Sequence, residues 1–235
     1  MKKLIYLTAL LLTISIGAKA QYDDYIYVNC EDTCDHIHGI DISHYQGNVF
    51  WEHVSENPRI AYVYIKATEG GDNIDDKYEA NIRMAHQHGL KVGSYHFYRP
   101  KTPQNVQLEN FMSQCLPREQ DLIPMIDVES TGGLISDEFC DSLLKFLKMV
   151  ERVYRQKPLI YTGRNFYNKH LTYTIDDYPV MIALYTNEEP ELDDGRDVTM
   201  WQYTAKGRIN GINTFVDKSR FIGRHSLREI RYRRH

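Results

Sequence analysis

Glycine-rich phosphate loops are missing from this sequence: no strand-like run is followed by G-x-G-x-x-G, and no P-loop occurs anywhere. That removes the usual signature of a nucleotide-binding, doubly wound sheet. Linker-like Pro/Gly/Ser tracts, low-complexity segments and internal repeats are missing too, which favours one domain over two. Long apolar runs are confined to the start, where "MKKLIYLTALLLTISIGAKA" (1–20) opens with two lysines, continues as an apolar stretch and finishes in the small-residue ending Ala18-Lys19-Ala20. The stretch is shorter than the roughly 20 residues that span a bilayer, and its form is that of an export signal cut before Gln21. No small residue and cysteine stand at the cut, so neither a lipid anchor nor stable membrane insertion is expected. The mature chain is expected in the periplasm or outside the cell.

An excess of positive charge is also missing. The formal net charge of −4 argues against nucleic acid as the main partner. The charge is uneven: "RFIGRHSLREIRYRRH" (220–235) sets six arginines against Glu229, and the end of the chain is read as a solvated basic tail over 223–235. Cysteine is scarce, with Cys30, Cys34, Cys115 and Cys140 alone. Export favours disulfides over catalytic thiols. Of the three possible pairings, Cys30 with Cys34 and Cys115 with Cys140 is the most local. A zinc site with His36 and His38 is the rival reading, weakened by the want of a second ligand pair at matching spacing.

What the sequence does have is a regular alternation. Strand-like runs fall at 38–43, 61–68, 91–98, 122–129, 158–163, 179–185 and 198–204. Helical patterns lie between them. "DDKYEANIRMAHQHG" places Tyr78, Ile82 and Ala85 on one face and ends at Gly89, a C-terminal cap. "SDEFCDSLLKFLKMVERVYRQK" starts at Ser136 as N-cap and carries Phe139, Leu143, Val150 and Tyr154 in its apolar stripe. "TPQNVQLENFMSQCL" has Pro103 just inside its start. Strand and helix in alternation predict a parallel sheet clothed by helices, and the apolar runs fit strands buried on both faces.

A closed barrel of that kind concentrates chemistry at the carboxyl ends of its strands. Those ends supply Asp41, Lys66 and Glu69, His96 and Tyr98, Asp127 and Glu129, Tyr161, Tyr185, Trp201, Gln202 and Asp217. In "IPMIDVES" (123–130) the period-2 alternation turns Asp127 and Glu129 to one side, about 6.5 to 7 Å apart along the chain. Paired carboxyls with aromatics around them suit glycosidic bond hydrolysis: one acid protonates the leaving oxygen while another stays ionised beside the anomeric carbon. A carboxylate neighbour raises its partner's pKa, and aromatic faces bind sugar rings. The structural alternative is that these acids cap helices or pair with bases.

Six segments carry a resemblance to a known family: "GIDISHYQG" (39–47), "YVYIKATEG" (62–70), "GSYHFYRP" (93–100), "PMIDVES" (124–130), "IYTG" (160–163) and "MWQYTAKGRINGINTFVDKSRF" (200–221). In this order they closely resemble the glycoside hydrolase family 25 muramidases, the Chalaropsis-type lysozymes. The resemblance implies a modified, incomplete TIM-like (β/α) barrel over 38–222, preceded by an extension at 21–37. It implies cleavage of the β-1,4 bond between N-acetylmuramic acid and N-acetylglucosamine in peptidoglycan glycan strands, with neither cofactor nor metal, by a monomer. Glu129 matches the family's general acid, and Asp127, Asp41 and Asp217 its other active-site acids. Tyr98, Tyr161, Tyr185, Trp201 and Gln202 are the implied substrate contacts. The family pattern further suggests that the substrate's N-acetyl group attacks the anomeric carbon, oriented by Asp127, in place of a covalent aspartyl intermediate.

The departures are "IALY" in the sixth strand, where the family has a tryptophan-containing segment, the unmatched stretch before the first strand, and the want of a wall-binding repeat. A chitinase with a D-x-x-D-x-D-x-E strand would need aspartates where Leu122 and Met125 stand. A non-catalytic wall-binding protein would have lost one of the four acids.

Overall fold

The computed structural model describes residues 37–234. The export signal, nearly all of the extension, and Cys30 and Cys34 lie outside the described residues.

Nine strands form one sheet: β1 (His38–Ile42), β2 (Ile60–Glu69), β3 (Asn73–Ile74), β4 (Lys91–Phe97), β5 (Met125–Asp127), β6 (Leu159–Gly163), β7 (Val180–Ala183), β8 (Met200–Gly207) and β9 (Val216–Phe221). β1 pairs with both β9 and β2, so the sheet closes into an eight-stranded barrel with β3 as a short flap on β2. From β1 through β2 and β4 to β8 every pairing is parallel. β9 alone runs antiparallel to both of its barrel neighbours. The reason lies in residues 208–215, which are too few for the crossover of a dozen or more residues that a parallel return needs. Their turn is pinned where Gly211, at φ +95°, accepts the Phe50 amide at 2.9 Å.

Among the described residues, five α-helices accompany the strands: α1 (Trp51–Ser55), α2 (Tyr78–Gln87), α3 (Gln104–Gln114), α4 (Ser136–Tyr154) and α5 (Arg164–His170). The expected stripe of α4 is buried, with Phe139, Leu143, Phe146, Leu147, Val150 and Tyr154 all facing inward. α2 buries Tyr78, Ile82 and Ala85, and beyond its end Gly89 takes φ +83°, the left-handed turn that glycine adopts without strain. Two helix starts differ from expectation by one position: Ile135 rather than Ser136 caps α4, and Pro103 caps α3 from outside. No helix among the described residues is long and apolar enough to cross a membrane.

The barrel interior is filled by large rings made possible by missing Cβ atoms. A Cβ at Gly39 would lie 2.1 Å from the Tyr62 ring, and one at Gly93 would lie 2.3 Å from the Tyr64 ring. Both tyrosines are fully buried, with hydroxyls placed on Ser219 Oγ and the Ile123 carbonyl. Gly93→Ala is therefore expected to destabilise the fold by about 1–3 kcal/mol or more, because a packed interior cannot absorb the added methyl. Chemical denaturation of the variant checks this, and an unchanged midpoint would show that the Tyr64 ring has room to move.

Two expectations fail here. Cys115 and Cys140 are both free thiols. Tyr154, at the far end of α4, donates its hydroxyl to the Cys115 carbonyl, while Cys140 lies in the second turn and faces the His170 carbonyl. The fourteen-residue step along the helix from Cys140 to Tyr154 separates the two sites by about 20 Å, far beyond disulfide reach. The basic tail, in turn, is not a solvated terminus. Arg231 bridges Leu122, Ile230 accepts from the Ile123 amide at 2.8 Å, and Tyr232 donates to the Asp121 carbonyl at 2.8 Å. Ile230 and Tyr232 are buried.

Candidate active site

The register of the barrel brings the four acids to one mouth. Asp41 stands opposite Asp217 across β1 and β9, and Asp127 lies in one row with Phe97 and Tyr161 across β4, β5 and β6. Residues aligned across parallel strands point to the same face. The result is a pocket of about 210 Å³ lined by Asp41, Asp127, Glu129 and Asp217, with Lys66, Tyr95, Phe97 and Tyr161 among its walls. A second chamber of about 430 Å³ adjoins it, floored by Gly163 and Ala183 and edged by Phe166 and Tyr185. Glu129 and Tyr161 line both chambers, so Glu129 stands where they meet.

Gln202 ties Asp41 to Tyr161 and Tyr185 from beneath. It is 1% exposed, and its Nε2 donates to both carboxyl oxygens of Asp41 at 3.2 and 3.0 Å. Its Oε1 accepts from the Tyr161 hydroxyl at 2.9 Å and the Tyr185 hydroxyl at 2.7 Å. The amide is thereby saturated with strong geometry on both ends, which fixes Asp41 and leaves Gln202 little capacity to bind a ligand directly.

Burial raises the pKa of all four acids, and their neighbours separate them. Asp41 is held well above the usual carboxylate range by burial first, then by the charge of Asp217 and a hydrogen bond with it. Asp217 is pushed up to about 6 by burial, the hydrogen bond from Asp41 opposing the rise. Asp41 therefore holds the proton of this pair. Asp127 is raised by burial and by the charges of Glu129 and Asp41, against the pull of Lys66. Glu129 is also raised by burial, with Arg99, a hydrogen bond shared with Asp127, and Lys66 pulling the other way. Burial and the repulsion between the two carboxyls thus favour one proton shared within the Asp127–Glu129 pair. The Oδ1 atom of Asp127 is buried without a hydrogen-bond partner in the fold.

Cations limit how far this cluster can be neutralised. Lys66 Nζ lies 2.6 Å from Glu69 Oε2, and Arg99 Nε donates to Glu69 Oε1 at 2.9 Å. Burial pushes Glu69 up, but these bonds outweigh it and hold the carboxyl below its usual value. Glu69 is thus an ionised counter-charge that keeps Lys66 and Arg99 beside the groove.

Asp217 gives a pH signature. Its folded-state value near 6 exceeds the ordinary 3.8, so its contribution to stability is complete below pH 4 and is lost as the pH rises through 6. Asp217→Asn is expected to stabilise the protein at pH 7, by on the order of 3 kcal/mol at most, with no gain at pH 4. Thermal melts of both proteins at the two pH values check it, and equal differences at both would rule out the linkage.

Not every residue chosen from the sequence reaches the groove. Tyr98 is fully buried on the helix side, its hydroxyl 2.7 Å from Ser142 Oγ and its ring stacked on Phe146. Trp201 also faces outward, donating Nε1–H to the Leu184 carbonyl at 2.7 Å beneath the Arg220 guanidinium. His96 shares that layer between Thr68 and Gln107, and burial pushes it down to about 4, so it stays neutral. Tyr161 and Tyr185 do line the groove. Overlooked were Tyr95 and Phe97 on the inward face of β4, and Tyr45, 75% exposed at the lip. Period 2 would have found the first two, since Phe97 is the register partner of Asp127. Tyr45 rides on a single 3₁₀ turn (His44–Gln46) capped reciprocally by Ser43 and Gln46 and anchored through His44 to Asp75.

An α/β barrel with Asp41, Asp127 and Glu129 at the carboxyl ends of parallel strands, Asp217 at the amino end of the antiparallel β9 and one carboxyl between two sugar-sized chambers defines a glycoside hydrolase. Comparison with known proteins makes this specific: the family model described as glycosyl hydrolases family 25 matches residues 40–212, and the chain belongs to that family. It is 34% identical over 191 residues to the uncharacterized protein YegX of Escherichia coli, covering 80% of this chain and 70% of that one. It is 34% identical over 186 residues to the autolytic lysozyme of Clostridium acetobutylicum, covering 78% of this chain and 55% of the longer relative. The crystal structure of the bacterial lysozyme from Streptomyces coelicolor superimposes with a TM-score of 0.75 at 28% identity, covering 85% of this chain and 96% of that one.

Proposed function

We propose that the protein is an exported, monomeric N-acetylmuramidase, a lysozyme that hydrolyses the β-1,4 bond between N-acetylmuramic acid and N-acetylglucosamine in peptidoglycan. The observation that carries the reading is the position of Glu129 at the junction of the two chambers, against a buried Asp127 whose Oδ1 lacks a partner. A glycan strand laid along the groove puts its scissile oxygen beside Glu129, which gives up its proton to the leaving sugar and afterwards takes one from water. Asp127 receives the N–H of the acetamido group on the other sugar. That contact turns the acetamido carbonyl oxygen onto the anomeric carbon, and the negative charge of Asp127 stabilises the cyclic cation that forms. Asp41, fixed by Gln202, and Asp217 beside it hold the sugar and close the acidic end of the pocket. Tyr45, Tyr95 and Phe97 supply ring surface for the pyranoses. The names of the lysozyme relatives support this substrate.

The test is clearing of a purified peptidoglycan suspension alongside chitin oligomers of equal length. The proposal expects clearing and release of reducing ends from peptidoglycan, with chitin cleaved far more slowly. Preferential chitin cleavage would support a chitinase, and binding without release a wall-binding protein.

A further inference from the structure

The end of the barrel opposite the groove carries a second concave surface, of opposite charge. A cavity of about 910 Å³ is lined by Lys91, Arg228, Arg231, Arg233 and Arg234, with Asp121 as the acid among them. All five cations are exposed. The Asp121 carboxylate is already engaged, by His86 Nε2 at 3.0 Å and the Val92 amide at 3.2 Å. A neighbouring cavity of about 380 Å³ shares Tyr232 and Arg234 and adds Arg118 and Arg155 to the same surface. Lys91 opens β4 and Phe97 closes it, so this surface lies about 20 Å from the acidic mouth along the barrel.

The arginines are held in place by main chain. Ile230 and Tyr232 turn into the protein while Arg231 and Arg233 turn out, the alternation of an extended strand. Gln156 clamps that strand, donating from Nε2 to the Arg231 carbonyl at 3.2 Å and accepting the Arg233 amide at 2.5 Å. Guanidinium forks spaced about 6.5 to 7 Å apart on a fixed strand match anionic groups repeated along a chain, and arginine binds phosphate with two parallel hydrogen bonds. The surface is concave and much larger than one phosphate, which favours an inserted polymer over a flat lipid headgroup layer.

We propose that this end of the barrel is a docking site for a linear polyol phosphate polymer, independent of the hydrolytic groove. Docking there leaves the groove at the far end free to work on a neighbouring glycan strand.

The test is fluorescence anisotropy of the full chain with an end-labelled glycerol phosphate oligomer, across a range of salt concentrations. Binding that weakens with salt is expected. Arg231→Ala/Arg233→Ala, and separately Arg228→Ala/Arg234→Ala, are expected to weaken it at least tenfold and to reduce the salt slope by on the order of two. Melting temperature and cleavage of a short soluble glycan should stay unchanged. Undiminished binding in both double variants would overturn the proposal, as would equal binding of polyglutamate of the same charge. Binding of phosphatidylglycerol vesicles in preference to the oligomer would overturn it in favour of a membrane surface.

Discussion

Glu129→Gln is expected to lower kcat on peptidoglycan by roughly 10²- to 10⁴-fold, the usual contribution of a positioned acid, with KM little changed. Glutamine has the shape of the protonated acid and keeps its hydrogen bonds, but it has no proton of the right acidity to give. Because Glu129 lies at the open junction of the two chambers and supports no packing, the variant should melt within about a degree of the wild type, as surface substitutions do. Initial rates of reducing-end release, with melting curves as control, check both statements. Equal activity would remove Glu129 from the chemistry and return attention to Asp41 or Asp217.

Asp127→Asn should cost roughly 10²- to 10³-fold in kcat, the magnitude typical of removing one preorganised electrostatic contact from a transition state. The loss should depend on the substrate's acetamido group. In wild type, replacing that group by a free amine should reduce kcat by a comparable factor. In the asparagine variant the same replacement should cost much less, because the two changes remove one interaction and cannot be additive. Fully additive losses would mean that Asp127 acts without the acetamido group. A covalent sugar adduct on Asp127, detected by mass spectrometry after trapping with a slow substrate, would replace the assisted route with a direct nucleophile.

Much of this site is written locally. Asp41, Asp127, Glu129 and Asp217 stand at strand ends where side-chain alternation alone places them on one face, and the barrel follows from the strand and helix periods. Period 2 also separates neighbours: Trp201 and Gln202 are adjacent on β8 and cannot both face the axis, and Tyr98 lies out of phase with Phe97. A frame error of one residue moves a side chain from the groove to the helix layer. Other features depend on distances that no local pattern encodes. The length of α4 parts Cys115 from Cys140, and Tyr62 and Tyr64 occupy space that only Gly39 and Gly93 leave free. The docked tail rests on Ile230, Tyr232 and backbone bonds to Asp121 and Ile123, too few apolar positions to show above six arginines.

The central claim is the bond that is cut, and the identity of the new reducing end tests it most directly. Products released from a peptidoglycan of defined composition can be reduced with borohydride and weighed by mass spectrometry. The account predicts that every released fragment ends in reduced N-acetylmuramic acid, and that none does so with Glu129→Gln. Fragments ending in reduced N-acetylglucosamine would contradict it.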